Sequence, residues 1–325
     1  MKTILALLAF VVLAPNTFDT LAFGPKEGAK LAKRFEQHVE LEKQSMTMSM
    51  GGRELPAELL EDAVFDLEFH TKVEVEDEYE KVGDGRPLVL SRAYSSLSES
   101  ETEKIHMPGM PEAQETKKEK STALEGQTVL FNWDDEKDEY AKTWSGEGAD
   151  DELLKKLEED MDLRALLPKK SLAKGDTWKI DLREFQDLFG PGGRFGFKED
   201  GEEDDDDDSG FEDNLTGEVT CTYEGESEVD GRKLARVALA CEAQTFMTPG
   251  KDDEPVGKMT FAFDLEGSAL WDVEGKHLSS YELGGNVTTK IEMTQVIDGG
   301  GQKHELEIQI ELGGEFKVTG EVKRQ

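Results

Sequence analysis

The sequence predicts a mainly β protein of the α+β class: curved antiparallel sheets in two related halves, with one central amphipathic helix packed on the sheet. Three observations carry this. Apolar residues alternate at period two through long stretches such as Phe65, Leu67, Phe69, Val73 and Val75, with polar residues on the opposite phase. Asp-Gly and Gly-Gly signals punctuate those stretches as hairpin turns would. Four-residue apolar spacing occurs clearly in one place, at Leu153, Leu157 and Met161.

Taken in order, the chain opens with Lys2 and an apolar run from Ile4 to Ala14, about the length of a secretory h-region and too short to span a bilayer. A cut after Thr20-Leu21-Ala22 avoids Pro15, so residues 1–22 read as a signal peptide. An ordinary buried helix is the competing reading. The mature chain is then exported, periplasmic or extracellular, with no transmembrane segment after cleavage. The chain has 73 acidic against 38 basic residues, a formal net charge of -35, which disfavours a nucleic-acid partner because phosphate binding needs clustered Lys and Arg.

Residues 23–148 form the N-terminal half. Phe35, Val39 and Leu41 share a strand-like face after Gly28, and Met46, Met48 and Met50 repeat at period two before Gly51-Gly52. Thioethers are soft ligands, so this run has the look of a copper site, but one face of a strand packing into the core is the favoured reading. Pro56 to Ala63 suits a short helix. The Phe65 to Val75 strand leads to a turn at Gly83-Asp84-Gly85-Arg86 and a strand from Pro87 to Tyr94; the Ser-, Glu- and Lys-rich stretch from Ser95 to Ser121 then reads as a long loop. Strand character returns at Val129 to Trp133, and a polar hairpin at Asp135 to Asp138 leads back through Tyr140 and Trp144.

Residues 149–170 read as the connecting helix, with Asp150 as N-cap, Asp151 and Glu152 at its positive end, and Pro168 as its stop. The C-terminal half, 171–325, replays the first: Gly175 answers Gly28, Asp230-Gly231-Arg232 answers Asp84-Gly85-Arg86, Leu265-Glu266-Gly267 answers Leu124-Glu125-Gly126, and Trp271-Asp272 answers Trp133-Asp134. An internal repeat explains the shared order, although hairpin-rich proteins also reuse turn residues. The tail is a meander with turns expected at Gly299-Gly300-Gly301 and Gly313-Gly314.

Cys221 and Cys241 lie on the apolar faces of two strands joined by a hairpin at Val229 to Lys233. A three-residue loop sets them opposite each other, which in an exported chain points to a cross-strand disulfide; two buried free thiols are the alternative. The acidic insertion at 199–213 contains Asp205, Asp207, Ser209 and Asp213 at the spacing of the first half of a calcium loop, but Thr216 stands where a bidentate glutamate belongs and a solvated tract explains the run as well. The five histidines, at 38, 70, 106, 277 and 304, show no paired metal spacing, no G-x-S-x-G occurs, and the glycine cluster at 190–193 has Phe195 where a dinucleotide fingerprint needs glycine, so it reads as a flexible loop. Catalytic residues are therefore not assigned. Trp133, Trp144, Trp178 and Trp271 are candidates to line an apolar ligand cavity, or else to fill a core.

Leu167-Pro168-Lys169-Lys170 followed by Gly175-Asp176-Thr177-Trp178, with the later stretch from Gly267 to Leu278, resembles a group of secreted bacterial proteins common in planctomycetes. The resemblance covers the second half and implies an exported β-rich domain without an assigned activity; the acidic tract departs from it. The expectation is an exported, non-enzymatic binding or envelope-associated protein, holding an apolar small molecule or lipid in a curved sheet or meeting an envelope protein partner. The alternatives are an interaction or calcium-binding module using the acidic tract, and a hydrolase with an unrecognised site.

Overall fold

The computed structural model describes residues 21–107, 112–146, 148, 150–168, 170–184, 188–199, 214–248, 256–299 and 302–325. Its strands are β1 (Ala29–Met50), β2 (Arg53–Glu54), β3 (Val64–Gly83), β4 (Arg86–His106), β5 (Gln114–Lys120), β6 (Thr128–Asp134), β7 (Glu139–Trp144), β8 (Thr177–Asp181), β9 (Thr216–Val229), β10 (Arg232–Met247), β11 (Val256–Asp272), β12 (His277–Gly299) and β13 (Gln302–Arg324). All join one antiparallel sheet in the order β7-β6-β4-β3-β1-β13-β12-β11-β10-β9-β8, with β2 on β1 and β5 on β4.

That order fixes where the rest of the chain must go. The first and last long strands, β1 and β13, pair at the centre from Leu31↔Arg324 to Met50↔Leu306, with one register shift between Lys43 and Ser45. The chain therefore walks outward to the edge strand β7 and re-enters at the opposite edge, β8. The connection between two edges has to cross a face of the sheet, and its Leu154, Leu157, Met161, Leu163, Leu166 and Leu172 are buried in the same cluster as the sheet residues. Those sheet residues alternate as a one-sided strand requires: Leu31 and Phe35, Val73 and Val75, Val237 and Leu239, Phe316 and Val318 are buried. The same face accepts close packing at Gly320, where a Cβ would meet the rings of Tyr281 at 2.6 Å and Phe35 at 2.8 Å. The opposite, outer face carries residues such as Lys30, Arg34, Glu40 and Glu76. A membrane barrel places an apolar band there. Among the described residues no helix is long and apolar enough to cross a membrane.

Several expectations are corrected. There is one continuous sheet, not two halves, and the central amphipathic helix shrinks to α1 (Asp151–Lys156). Asp150 does cap it, accepting from the Glu152 N–H at 3.0 Å, but the backbone leaves the helix at Leu157. Leu157 and Met161 are buried through an irregular crossing segment that ends in a 3-10 turn at Arg164–Leu166. The Ser95 to Ser121 stretch is mostly strand, because β4 continues to His106 and β5 pairs back on it. Gly313-Gly314 lies inside β13: a Cβ at Gly314 would sit 1.8 Å from the Glu40 carbonyl oxygen, so the glycine admits a close strand approach instead of a turn.

Of the repeated signals, some are geometrically alike. Asp84-Gly85 and Asp230-Gly231 form two-residue turns with positive φ throughout, 53° and 75° in one and 52° and 73° in the other. Trp133-Asp134 and Trp271-Asp272 each end a strand and open a turn closed by an N–H to the aspartate carbonyl, from Asp138 at 2.9 Å and Lys276 at 2.7 Å. Leu265-Glu266-Gly267 differs, lying within β11, whereas Gly126 behaves like Gly28 and Gly175. Each of these three donates its N–H to a buried tyrosine carbonyl, at Tyr94, Tyr79 and Tyr223.

Candidate functional site

Two regions of the covered face stand out, one closed and one open. The closed region is an ionic cluster where the crossing segment lies on β1, β3 and β4. Lys33 Nζ donates to Tyr79 Oη at 2.7 Å and Asp162 Oδ2 at 2.9 Å, and lies 2.9 Å from Asp77 Oδ2. Arg92 grips Asp77 with two hydrogen bonds, 2.7 and 2.9 Å, and donates to the Glu158 and Glu159 carbonyls at 2.9 and 2.7 Å. Tyr79 Oη donates to Asp162 at 2.5 Å. Arg164 pairs with Glu159 and with Asp160.

Burial pushes the Asp77 carboxyl up, but Arg92 and Lys33 outweigh it, so the group sits below its ordinary value. For Glu159 burial wins over Arg164, and its carboxyl rises to about 7. Lys33, Asp77 and Arg92 each occupy a position in phase with buried apolar neighbours, Leu31 and Phe35, Val75 and Tyr79, Leu90 and Tyr94. That phase was the signal available in the sequence, and sequence reasoning missed it. The groups hold one another, and the cluster reads as the clamp that fixes the crossing segment.

The open region is the far end of the same face. Rows of the register run Met46, Ile310, Ile291, Met259, Met247 and Met48, Ile308, Met293 across adjacent strands. Met46, Met48, Ile291, Met293, Met259 and Ile308 are half-buried, and Met50 is 41% exposed. Segment 56–63 borders this floor, where Lys43 Nζ donates to the carbonyls of Leu60 at 3.1 Å and Glu61 at 3.2 Å. Ile308 stands between Met48 and Met293, and strands two apart are about 10 Å apart, so the thioethers spread over an apolar floor instead of gathering round one ion. Flexible, polarisable methionine suits a surface that adapts to its ligand.

The four tryptophans do not share a cavity. Trp133 meets Tyr140 edge to face with centroids 5.0 Å apart and takes the Arg86 guanidinium over its ring at 4.0 Å. Trp144 donates to Asp151, Trp178 to the Leu166 carbonyl, and Trp271, buried, to the Ala22 carbonyl. Trp178 thus ties β8 to the crossing segment. Its neighbour Asp176 closes the strand-entry turn by accepting the Ala173 N–H at 2.9 Å.

Cys221 and Cys241 are buried free thiols. The hairpin loop has two residues, Val229 facing Arg232, and a bulge between Arg236 and Val237 moves the register again, so Cys221 faces Leu239 and Cys241 faces Val219. The expected direct opposition is therefore corrected. Burial raises both thiols to about 12, which leaves them unreactive as nucleophiles. Asp205, Asp207, Ser209 and Asp213 lie outside the described residues, as does most of the signal segment.

No family model matches the chain, and no curated protein matches it. Among solved structures the chain is similar to an outer membrane channel from Pseudomonas putida F1, at 8% identity over 96% of this chain and 100% of that one with a TM-score of 0.21. It is also similar to the Type IV competence pilus secretin PilQ of V. cholerae, at 7% identity over 91% of this chain and 60% of that one with a TM-score of 0.17. At such scores these likenesses carry no argument about function, which rests on the geometry of the sheet alone.

Proposed function

We infer that this is an exported, non-enzymatic binding protein of the cell envelope that holds an apolar ligand, of acyl-chain type, against the uncovered end of its sheet. The observation that supports this reading is the methionine and isoleucine floor at Met46, Met48, Met259, Ile291, Met293 and Ile308, half-exposed around the buried Ile310, whereas Leu31, Phe35, Tyr79 and Tyr94 nearer the crossing segment are buried. A contiguous apolar surface of this kind marks a binding site in an otherwise highly charged protein. The buried ionic groups are engaged with one another and serve to hold the crossing segment, so no chemistry is assigned to them.

Native mass spectrometry of the protein purified from its own envelope tests the reading. It predicts a co-purifying apolar molecule that is lost in a Met48→Asp/Met293→Asp variant. Absence of any such adduct, together with failure of a single-chain phospholipid to bind the purified protein, would overturn it.

A further inference from the structure

The outer face of the sheet, opposite the apolar floor, carries a block of groups that the binding role does not use. His38 on β1 lies directly opposite His70 on β3, and in the next outward-facing row Glu40 lies opposite Glu68. The two imidazole rings stand edge to face with centroids 6.0 Å apart. His38 Nε2 is 3.1 Å from Glu68 Oε1 and 3.5 Å from Glu40 Oε1, and one ligand atom from each of the three lies within 4.8 Å of the others. The carboxylate row continues on the other side, because Glu315 of β13 faces Glu40.

Like charges set directly opposite each other across strands are destabilising. The cations bordering the block form their close ion pairs elsewhere, Lys317 with Glu282 at 2.9 Å, Lys117 with Glu119 at 2.8 Å and Lys72 with Glu74 at 2.9 Å, although Lys117 also feels the Glu68 charge at longer range. Among the described residues, His38 Nε2 is the ring nitrogen that lies close to both Glu40 and Glu68. The sequence carries only half of the signal: His38-Val39-Glu40 and Glu68-Phe69-His70 each set an imidazole and a carboxylate on the same strand face, and the antiparallel register brings the two pairs together.

We propose that His38, His70, Glu40 and Glu68 form a surface site for a divalent transition-metal ion of the zinc type. Two imidazoles and one or two carboxylates are the ligand set that zinc accepts at about 2.0–2.2 Å, and imidazole disfavours calcium and magnesium, which take oxygen ligands. His38, Glu40 and Glu68 already offer ligand atoms within 4.8 Å of one another, and His70 would join them by side-chain rotation from its place opposite His38 in the register of two long paired strands. Binding would tie β1 to β3 and neutralise the carboxylate row.

The test is calorimetric titration of the full chain with Zn2+, set against a His38→Gln/His70→Gln variant. The site predicts one binding event that weakens at least about tenfold in the variant, while the melting temperature of the metal-free variant stays near that of the wild type, because both positions lie on the outer face. Equal affinity and stoichiometry in the two proteins would overturn it by assigning the zinc to other residues. A second readout is independent of any variant. Electron paramagnetic resonance of the wild type loaded with one equivalent of Cu2+ should show nitrogen coupling from imidazole, and a purely oxygen-ligated spectrum would overturn the site.

Discussion

The two ends of the covered face belong to the same long strands yet have opposite fates. Along β1, Leu31, Lys33 and Phe35 are sealed beneath the crossing segment, whereas Met46 and Met48 stay half-exposed and Met50 is open. Along β3, Asp77 and Tyr79 are wholly buried, whereas Phe65 and Leu67 are half-buried. The difference arises from topology, because the connection from β7 to β8, together with Phe23 before β1 and Phe189 and Phe195 after β8, covers only one part of the sheet. Stability is concentrated where the chain covers itself, and the apolar surface proposed as the ligand site is where it does not.

The largest expected effects fall at the covered end. Asp77→Ala strands Lys33 and Arg92 in a buried site and should destabilise the protein by about 3–5 kcal/mol in urea unfolding; a loss below about 1 kcal/mol would mean the clamp is dispensable. Phe316, which packs against Phe189 and Phe263 with centroids 5.6 Å away, should cost a similar amount, about 3–5 kcal/mol, when cut to alanine.

An intermediate effect is expected from Glu159. Its folded value of about 7 lies above the ordinary 4.5, so its contribution favours the folded state below pH 4.5 and is lost as pH rises through 7. The change is about 3 kcal/mol, and Glu159→Gln should flatten this part of the melting-temperature profile between pH 4.5 and 8. An identical slope in the two proteins would show that Glu159 is ionised throughout. Asp77 acts in the opposite sense, its stabilisation being present above its unfolded value and lost as pH falls through its depressed folded value. The smallest effect on stability belongs to the open end, where Met293→Asp should cost about 1 kcal/mol or less yet remove binding of a single-chain lipid. Retained binding would move the ligand site elsewhere.

The contrast also explains what could be read from the sequence. Alternation exposed most strands, since Phe65 to Val75 or Leu306 to Leu312 need only one wet face to show their period. The turns at Asp84-Gly85 and Asp230-Gly231 were legible because positive φ at both positions calls for such residues. The crossing segment was misread: Leu153, Leu157 and Met161 have helical spacing, but the chain bends after Lys156 to bring Glu159 and Asp162 onto Arg92 and Lys33. Such long-range partners leave no local period. The cysteine register failed for a comparable reason, since a two-residue loop and one bulge together shift the pairing by two residues. The methionine run was visible, but its neighbours Ile291, Met293 and Ile308 come from strands far away in sequence.

Hydrogen–deuterium exchange with and without a single-chain phospholipid tests the division most directly. Slow exchange is predicted at Leu31–Phe35 and Val73–Tyr79 under both conditions, and faster exchange at Met46–Met50 and Ile291–Gln295 that slows when the lipid is added. Uniform protection along β1, with no response to lipid at its far end, would contradict the account.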